Sequence, residues 1–317
     1  MTRRRSAFLL AWAVALAVSV GAARAQAPEV VGLPFKTEFA VKASPELSAR
    51  LPERVRAAGT ITVATNPNTP PTIFVSDDNR TLAGREIDVM SAVARRLGLE
   101  PRWVNAGSFA NIVPSLASGR YDAALANLSV TTERLKQVDF VSYFNSNRLA
   151  LVRTAPAGGT VPAPQTDLMA LCGETVGAGS GTMNAEALRL QAEPCKAAGK
   201  EPVNVPLFPS RPAGVQAVVS GRVPGFFGPY EGLVYTASAS RGTLYLAGVY
   251  QVPSDFVGIG LGKDSPLTPL VAEALNSLIA DGTYAAILRK WELEYGAVPQ
   301  ARQNDAILQP AAKAGGG

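Results

Sequence analysis

The segment SGRYDAALANLSVTTER, residues 118–134, is the most informative part of this chain. Residues 121–128 form an apolar run without strict alternation, which predicts a buried strand. A Ser/Thr cluster then signals a helix start, and Arg134 falls in the first turn, where a cation costs about 0.3–1 kcal/mol unless an anion compensates it. Backbone N–H groups, hydroxyls and a guanidinium converge there, which suits a carboxylate. The alternative is a surface ion pair of Arg134 with Glu133 or Asp139.

Residues 1–25 have the features of a secretory signal peptide. Arginines occupy positions 3–5, an apolar run covers residues 8–20, and Ala-Arg-Ala at 23–25 is a small-residue cleavage site. The apolar run is too short for a membrane span. Removal of this segment lowers the formal net charge from +5 to +1, so the basic balance gives no support to nucleic-acid binding. Because no cysteine lies near the cleavage site to carry a lipid anchor, we expect the periplasm.

The cysteine and histidine usage narrows the chemistry. Cys172 and Cys195 are the only cysteines, and in an exported chain they are expected to form a disulfide, although two free buried thiols are the alternative. The bond would contribute roughly 3 kcal/mol. There is no histidine, which excludes Ser-His-Asp and Cys-His nucleophile systems and the commonest zinc ligand. No metal-ligand cluster is found either, so no metal or cofactor is predicted.

The glycine-rich segment GAGSGT, residues 177–182, resembles a phosphate loop but lacks the Gly-Lys-Ser/Thr ending. Nucleotide binding is therefore not predicted. A turn of this kind before a helix offers N–H groups and the hydroxyls of Ser180 and Thr182 to an anion. The alternative is a tight turn and N-cap without a ligand.

The order of elements occurs twice along the chain, which predicts an α/β protein with two lobes. Ser-Gly-Arg at 118–120 and at 220–222 ends a helix and enters a strand in each half. The site is expected at the carboxyl ends of the strands. Strands are predicted at 60–64, 101–104, 121–128, 175–178, 205–208, 225–227 and 258–261, and helices at 86–97, 112–117, 184–192, 214–219, 267–281 and 283–291. Beyond Gly296 the composition predicts disorder.

Residues 59–297 resemble the family 3 extracellular solute-binding proteins, the receptors of polar amino-acid ABC importers. The resemblance rests on GREIDV at 84–89, IVPSL at 112–116, SGRYDA at 118–123, the stretch 129–140, GSGT at 179–182, KDSPL at 263–267, DGTYAAIL at 281–288 and Lys290-Trp291. It implies a two-lobed periplasmic-binding fold of type II, in which each lobe is a mixed sheet flanked by helices and two strands form a hinge. The pair of cysteines also resembles a disulfide of one branch of that family.

The resemblance implies a discontinuous lobe 1, at 53–147 and 249–297, with lobe 2 at 148–248 between its two parts. The residues themselves predict the other segments, namely the signal peptide at 1–25, a loosely attached leader at 26–52 and a disordered tail at 298–317.

The resemblance also implies a set of ligand-binding residues. By position, Arg134 would hold the α-carboxylate of the ligand with help from Ser129 and Thr182. Asn127 matches a position that lines the site, Phe109 matches an apolar wall, and Ser180 belongs to the same glycine-rich turn.

Two positions depart from the family pattern. Thr69 stands where an aromatic residue usually covers the ligand. Pro229 replaces the lobe 2 carboxylate that usually holds the α-ammonium. An unpartnered buried ammonium costs several kcal/mol, so either Glu231 substitutes for the missing carboxylate or the ligand is not an ordinary α-amino acid.

We therefore expect a monomeric periplasmic receptor that delivers a small carboxylate-bearing solute to an ABC permease in the inner membrane. The ligand favoured by these observations is an amino acid. Three alternatives stay open, of which the first two differ in activity or ligand. One is a cyclohexadienyl dehydratase-like enzyme on the same scaffold, for which Glu231 would be the acid, and another is a receptor for a non-amino carboxylate. The third, a ligand-sensing subunit of a membrane receptor, would use the same site residues.

Overall fold

A computed structural model describes residues 32–156, 158–252 and 255–309 of the 317-residue chain. The predicted signal peptide and the last eight residues lie outside this part. The described strands are β1 (Thr60–Thr65), β2 (Asn68–Thr69), β3 (Ile73–Val75), β4 (Leu82–Ala83), β5 (Glu100–Asn105), β6 (Ala123–Ala124), β7 (Val138–Asn145), β8 (Arg148–Thr154), β9 (Gly177–Gly179), β10 (Leu207–Phe208), β11 (Phe226–Pro229), β12 (Leu244–Gln251) and β13 (Phe256–Gly262).

The helices alternate with these strands, as the sequence predicts for an α/β protein. They are α1 (Pro45–Ala49), α2 (Glu53–Ala58), α3 (Arg85–Arg96), α4 (Ile112–Ala117), α5 (Thr132–Leu135), α6 (Met183–Leu190), α7 (Ala192–Ala197), α8 (Arg211–Val219), α9 (Tyr230–Ala239), α10 (Leu267–Ala280), α11 (Thr283–Lys290) and α12 (Asp305–Leu308). No helix of the described residues is both long and apolar enough to cross a membrane.

The strands form two five-stranded mixed sheets and one small sheet. Lobe 1 contains the sheet of order β5-β1-β6-β13-β7 together with the small sheet β2-β3-β4. Lobe 2 contains the sheet of order β10-β9-β11-β8-β12. In each large sheet, parallel pairs from βαβ crossovers adjoin antiparallel pairs made by the strands that link the lobes. This is the predicted two-lobed α/β architecture.

Two connections join the lobes. The chain leaves β7 for β8 through residues 146–147, and it returns from β12 to β13 after Gln251. In lobe 1, β7 pairs with β13, and in lobe 2, β8 pairs with β12. The two connections lie next to each other, because the N–H of Ser146 donates to the carbonyl oxygen of Asp255 and that of Val252 donates to Asn147. β12 stays in the lobe 2 sheet to Gln251, three residues beyond the predicted boundary at 248.

The long helices agree best with the sequence patterns. α3 buries most of its residues against lobe 1, and Gly98 follows it with a φ of +77°, as expected of a helix stop. The run 121–128 is almost wholly buried as predicted, but only Ala123 and Ala124 pair as a strand. In lobe 2, Cys172 and Cys195 form the predicted disulfide, with an S–S distance of 2.03 Å.

The predictions for the two ends of the domain are wrong in part. Residues 32–52 are not a loose leader, because Leu33 bridges Trp103 of β5 and Leu47 is buried in α1. Residues 298–309 are not disordered, because Val298 and Ile307 are buried and Gln303 bridges Val141 of β7.

Candidate functional site

A cleft lies between the lobes, at the carboxyl ends of β1, β9 and β11. Both lobes contribute to its wall, as predicted from the strand order. The lining residues are Asn66, Asn68, Thr69, Phe109, Ala126, Asn127, Ser129, Gly179, Ser180, Thr182, Met183, Asn184, Pro209, Ser210, Arg211, Phe226, Phe227, Gly228 and Pro229. This set, taken from the described residues, includes one arginine and no carboxylate.

Arg134 lies beside this cleft and extends from lobe 1 to lobe 2. Thr131 caps α5, so the helix begins where the sequence predicts and places Arg134 in its only turn. Its Nη1 donates to the carbonyl oxygen of Ser129 at 2.7 Å, and its Nη2 donates to that of Gly181 in lobe 2 at 2.9 Å. The guanidinium also lies 5.5 Å from the ring centre of Phe109. The predicted surface ion pair with Glu133 or Asp139 is absent from the described contacts of Arg134, since Glu133 pairs with Lys136 and Asp139 with Lys263.

Burial lowers the pKa of Arg134 without removing its charge at neutral pH. It lowers the pKa of the guanidinium to about 10, and the nearby carboxylate of Asp255 opposes this shift. The arginine therefore stays protonated at neutral pH. Two of its donors are taken by carbonyl groups, and the same guanidinium has three further N–H bonds for an incoming carboxylate.

The glycine-rich turn forms the opposite wall. Thr182 caps α6: its hydroxyl donates to the carbonyl oxygen of Gly179 at 2.8 Å and accepts the N–H of Ala185 at 3.3 Å. Ser180 lines the cleft beside it. The turn therefore presents the N-terminal end of an eight-residue helix to the cleft, where the helix dipole favours an anion.

A buried polar cluster supports the lobe 1 wall beneath Asn127. The backbone N–H of Asn127 donates to Oε1 of Glu86 at 2.6 Å. Nη2 of Arg85 donates to the side-chain oxygen Oδ1 of Asn127 at 2.9 Å. Burial raises the pKa of Glu86, while Arg85 opposes the shift. The guanidinium of Arg85 stacks on Phe144 at 3.9 Å from the ring centre. These contacts hold Asn127 at a φ of +52° and point its amide nitrogen toward lobe 2.

Glu231 receives that amide nitrogen and does not line the cleft. Its Oε1 accepts a hydrogen bond from Nδ2 of Asn127 at 3.2 Å, and its Oε2 accepts one from the hydroxyl of Tyr295 at 3.0 Å. Ser146 lies 3.4 Å from both oxygens. The side chain is 4% exposed. This geometry does not bring Glu231 to the position that Pro229 occupies on the cleft wall, so a direct contact with a ligand ammonium remains a prediction without support from the contacts.

Of the other predicted site residues, Thr69, Phe109 and Ser129 all line the cleft. Thr69 contributes a half-buried hydroxyl where the family pattern has an aromatic ring, so Phe109 supplies the aromatic wall on this side. The hydroxyl of Ser129 donates to Asp255, whose pKa is raised to about 7 mainly by burial.

Arg211 is the charged residue among the described lining residues, and it was not among the predicted site residues. It is the first residue of α8, directly after the N-cap Ser210, and it lines the lobe 2 wall. The signal was the one already used for Arg134, namely an arginine in the first turn of a helix that begins with a hydroxyl cap. The motif Ser-Arg-Pro at 210–212 carries that signal in the sequence.

Comparisons with known proteins agree with this architecture. A sequence profile of the bacterial extracellular solute-binding proteins, family 3, matches residues 61–294, and the chain belongs to this family. It is similar to an arginine-binding protein of Corynebacterium glutamicum, with 28% identity over 267 residues, which cover 83% of this chain and 84% of the relative. It is also similar to the lysine/arginine/ornithine-binding periplasmic protein of Escherichia coli, with 27% identity over 77% of this chain and 89% of that protein.

Among solved structures, an ancestral arginine-binding protein bound to arginine superposes with a TM-score of 0.63 and 28% identity. The match covers 74% of this chain and 98% of that structure. The predicted family and the two-lobed fold are therefore confirmed.

Proposed function

We propose that this chain is the periplasmic receptor of an ABC importer and that, as a monomer, it closes its lobes around an amino acid or a closely related carboxylate. The observation that carries the proposal is Arg134, which lies beside the cleft in lobe 1 and reaches the carbonyl of Gly181 in lobe 2. A carboxylate bound there meets a guanidinium on one side and the N-terminus of α6 on the other.

Binding and closure are coupled in this arrangement. The contact between Arg134 and Gly181 exists only when the two lobes approach each other, and a ligand carboxylate adds a second bridge across the same gap. Closure excludes water from the cleft, which strengthens the pairing of charges. The closed shape is what a membrane permease would recognise.

The names of the relatives support a receptor rather than an enzyme. The dehydratase alternative requires a carboxylic acid in the cleft, and Glu231 lies behind Asn127 with its oxygens already hydrogen-bonded.

The first test is a thermal-shift screen of the protein without residues 1–25, against the proteinogenic amino acids and small carboxylates of similar size. A ligand at about 100 times its dissociation constant stabilises the folded state by roughly 2.7 kcal/mol. The positive ligands are then titrated by calorimetry against Arg134→Ala.

We expect Arg134→Ala to weaken binding at least a hundredfold. The apo protein should lose no more than about 1 kcal/mol, because the freed carbonyls of Ser129 and Gly181 become accessible to water. Arg120→Ala, an exposed arginine of the same lobe, is the control and should bind like the parent. A large loss of apo stability with unchanged affinity would instead give Arg134 a purely structural role.

A further inference from the structure

Arg211 is the charged residue among the described residues of the cleft wall, and it is buried without a counter-ion. It is 8% exposed, and its Nη1 has no hydrogen-bond partner among the described residues. It lies within 4 Å of no carboxylate in that part of the chain. A guanidinium taken out of water without a counter-ion costs several kcal/mol.

The nearest negative charge does not remove this cost. Burial lowers the pKa of Arg211 to about 10, and the charge of Glu231 opposes that shift only in part. The carboxylate of Glu231 is already held by Asn127, Tyr295 and Ser146. Among the described residues, Arg211 therefore has no carboxylate that binds it directly, and it is one of the residues that line the cleft.

The surroundings of Arg211 favour an anion further. The cleft wall contains the first residues of α8, which has nine residues, and of α6, which has eight. Both helices present the positive end of their dipoles to the same space. Because no carboxylate is found among the described lining residues, a cationic side chain in this cleft would face only positive or neutral groups.

We propose that the ligand carries two carboxylate groups and that Arg211 binds the second one while Arg134 binds the first. Arg211 is thus the residue that sets specificity, and it excludes arginine, lysine and ornithine. The inference deepens the proposed function and rests on it, because it names the class of solute for the same cleft. Acidic amino acids and short dicarboxylates without an amino group share this chemistry.

A panel of ligands distinguishes acidic amino acids from dicarboxylates without an amino group. L-Glutamate and L-glutamine have nearly the same shape and differ by one charge, so we expect glutamate, or its desamino counterpart glutarate, to bind at least tenfold more tightly than glutamine. L-Aspartate and succinate form the shorter pair. If glutarate and succinate bind and their amino counterparts do not, Pro229 has removed the ammonium site; if the amino acids bind, an ammonium partner exists.

Variants of lobe 2 test the role of Arg211 itself. Arg211→Gln should bring the ratio of glutamate to glutamine affinity close to one. If glutarate is the ligand that binds, the ratio of glutarate to glutamine affinity should change in the same way. The thermal midpoint of the apo protein should not fall. Gly232→Ala keeps the arginine but displaces it, because a Cβ at Gly232 would collide with its Nη1, and should reduce the same ratio. Arg189→Gln, an exposed arginine of α6, is the control and should leave the ratio unchanged.

The outcomes are distinguishable. If Arg211→Gln weakens all ligands equally and lowers the apo midpoint, Arg211 is a structural partner of Glu231 and the inference is overturned. If arginine or a neutral amino acid is the only ligand, the inference is wrong while the receptor function stands. If no amino acid and no small carboxylate shifts the midpoint, the proposed function itself fails.

Discussion

Arg134 and Arg211 occupy the same kind of position on opposite lobes. Each lies in the first turn of a helix whose N-cap is a hydroxyl residue, Thr131 in one case and Ser210 in the other. A cation in that turn opposes the helix dipole, so the position is unfavourable until an anion arrives. A carboxylate that binds in the cleft compensates these positive charges, and the resulting electrostatic attraction favours binding. The charged groups are already in place before the ligand arrives, which is electrostatic preorganisation.

Asp255 makes stability depend on pH. The native pKa is about 7, raised mainly by burial, with Ser129 and Arg134 opposing the shift and Glu231 adding to it. Unfolded aspartate titrates near 3.9, so between pH 4 and 7 the native state binds more protons than the unfolded state. The contribution of Asp255 to stability therefore falls as the pH rises through this window.

Asp255→Asn should remove this slope. Because the side chain is partly exposed, we expect the variant to be more stable than the parent by roughly 1–2 kcal/mol at pH 8 and equal to it near pH 4. Urea unfolding at several pH values measures the difference. Asp264→Asn, at an exposed carboxylate of lobe 1, is the control. Parallel pH curves for Asp255→Asn and the parent would show that Asp255 does not cause the slope.

At the scale of elements, the sequence predicts helices and their caps better than short strands. Caps are local, so the Ser/Thr signals before α5 and α6 could be recognised from a few residues. The strand predicted at 121–128 shortens to β6 because Asn127 leaves the extended conformation to donate its N–H to Glu86, 41 positions earlier. Such a long-range contact has no trace in local periodicity.

The same distinction applies to the site. Family position and local pattern predicted Thr182, Asn127 and Phe109, which line the cleft, and Arg134, which lies beside it. They could not show that Glu231 lies behind Asn127, because that depends on how β11 and α9 meet lobe 1.

The disulfide acts within one lobe. It links Cys172, after the short 3-10 turn at Leu168–Leu171, to Cys195 in α7, and neither cysteine lines the cleft. Replacement of both by serine should lower the free energy of unfolding by about 2–4 kcal/mol, since the unfolded chain gains freedom. Ligand affinity at low temperature should stay within a few-fold of the parent. Urea unfolding and calorimetry measure the two effects, and a large affinity loss in the folded variant would mean that the bond also shapes the cleft.

At the scale of the molecule, the two ends of the domain cover opposite edges of the lobe 1 sheet. The N-terminal segment bridges β5, where the N–H of Leu33 donates to Trp103 at 2.7 Å. The C-terminal segment bridges β7, where the N–H of Ser142 donates to Arg302 at 2.9 Å. Exposed edge strands invite pairing with other chains, and these segments cover both. Composition predicted loose ends because backbone pairing of this kind depends little on side chains.

The movement of the lobes can be tested by locking them. Gly181 of lobe 2 faces Ala110 of lobe 1, and a Cβ built on Gly181 lies 3.6 Å from the Cβ of Ala110, within the usual range for a disulfide. The double variant Ala110→Cys/Gly181→Cys should therefore form a bond that holds the cleft closed. The φ of +72° at Gly181 adds a strain of about 1–2 kcal/mol, which the bond must overcome.

In the oxidised variant, ligand association and dissociation should both slow at least a hundredfold, and small-angle scattering should show no change of radius on ligand addition. Reductant should restore the parent's rates, and the parent treated in the same way shows whether loss of the native disulfide contributes. Ala110→Ser/Gly181→Ser carries the strain without the bond and should bind at normal rates. If the locked protein exchanges ligand as fast as the parent, the ligand enters without separation of the lobes, and the closure that joins Arg134 to Gly181 is not the step that captures it.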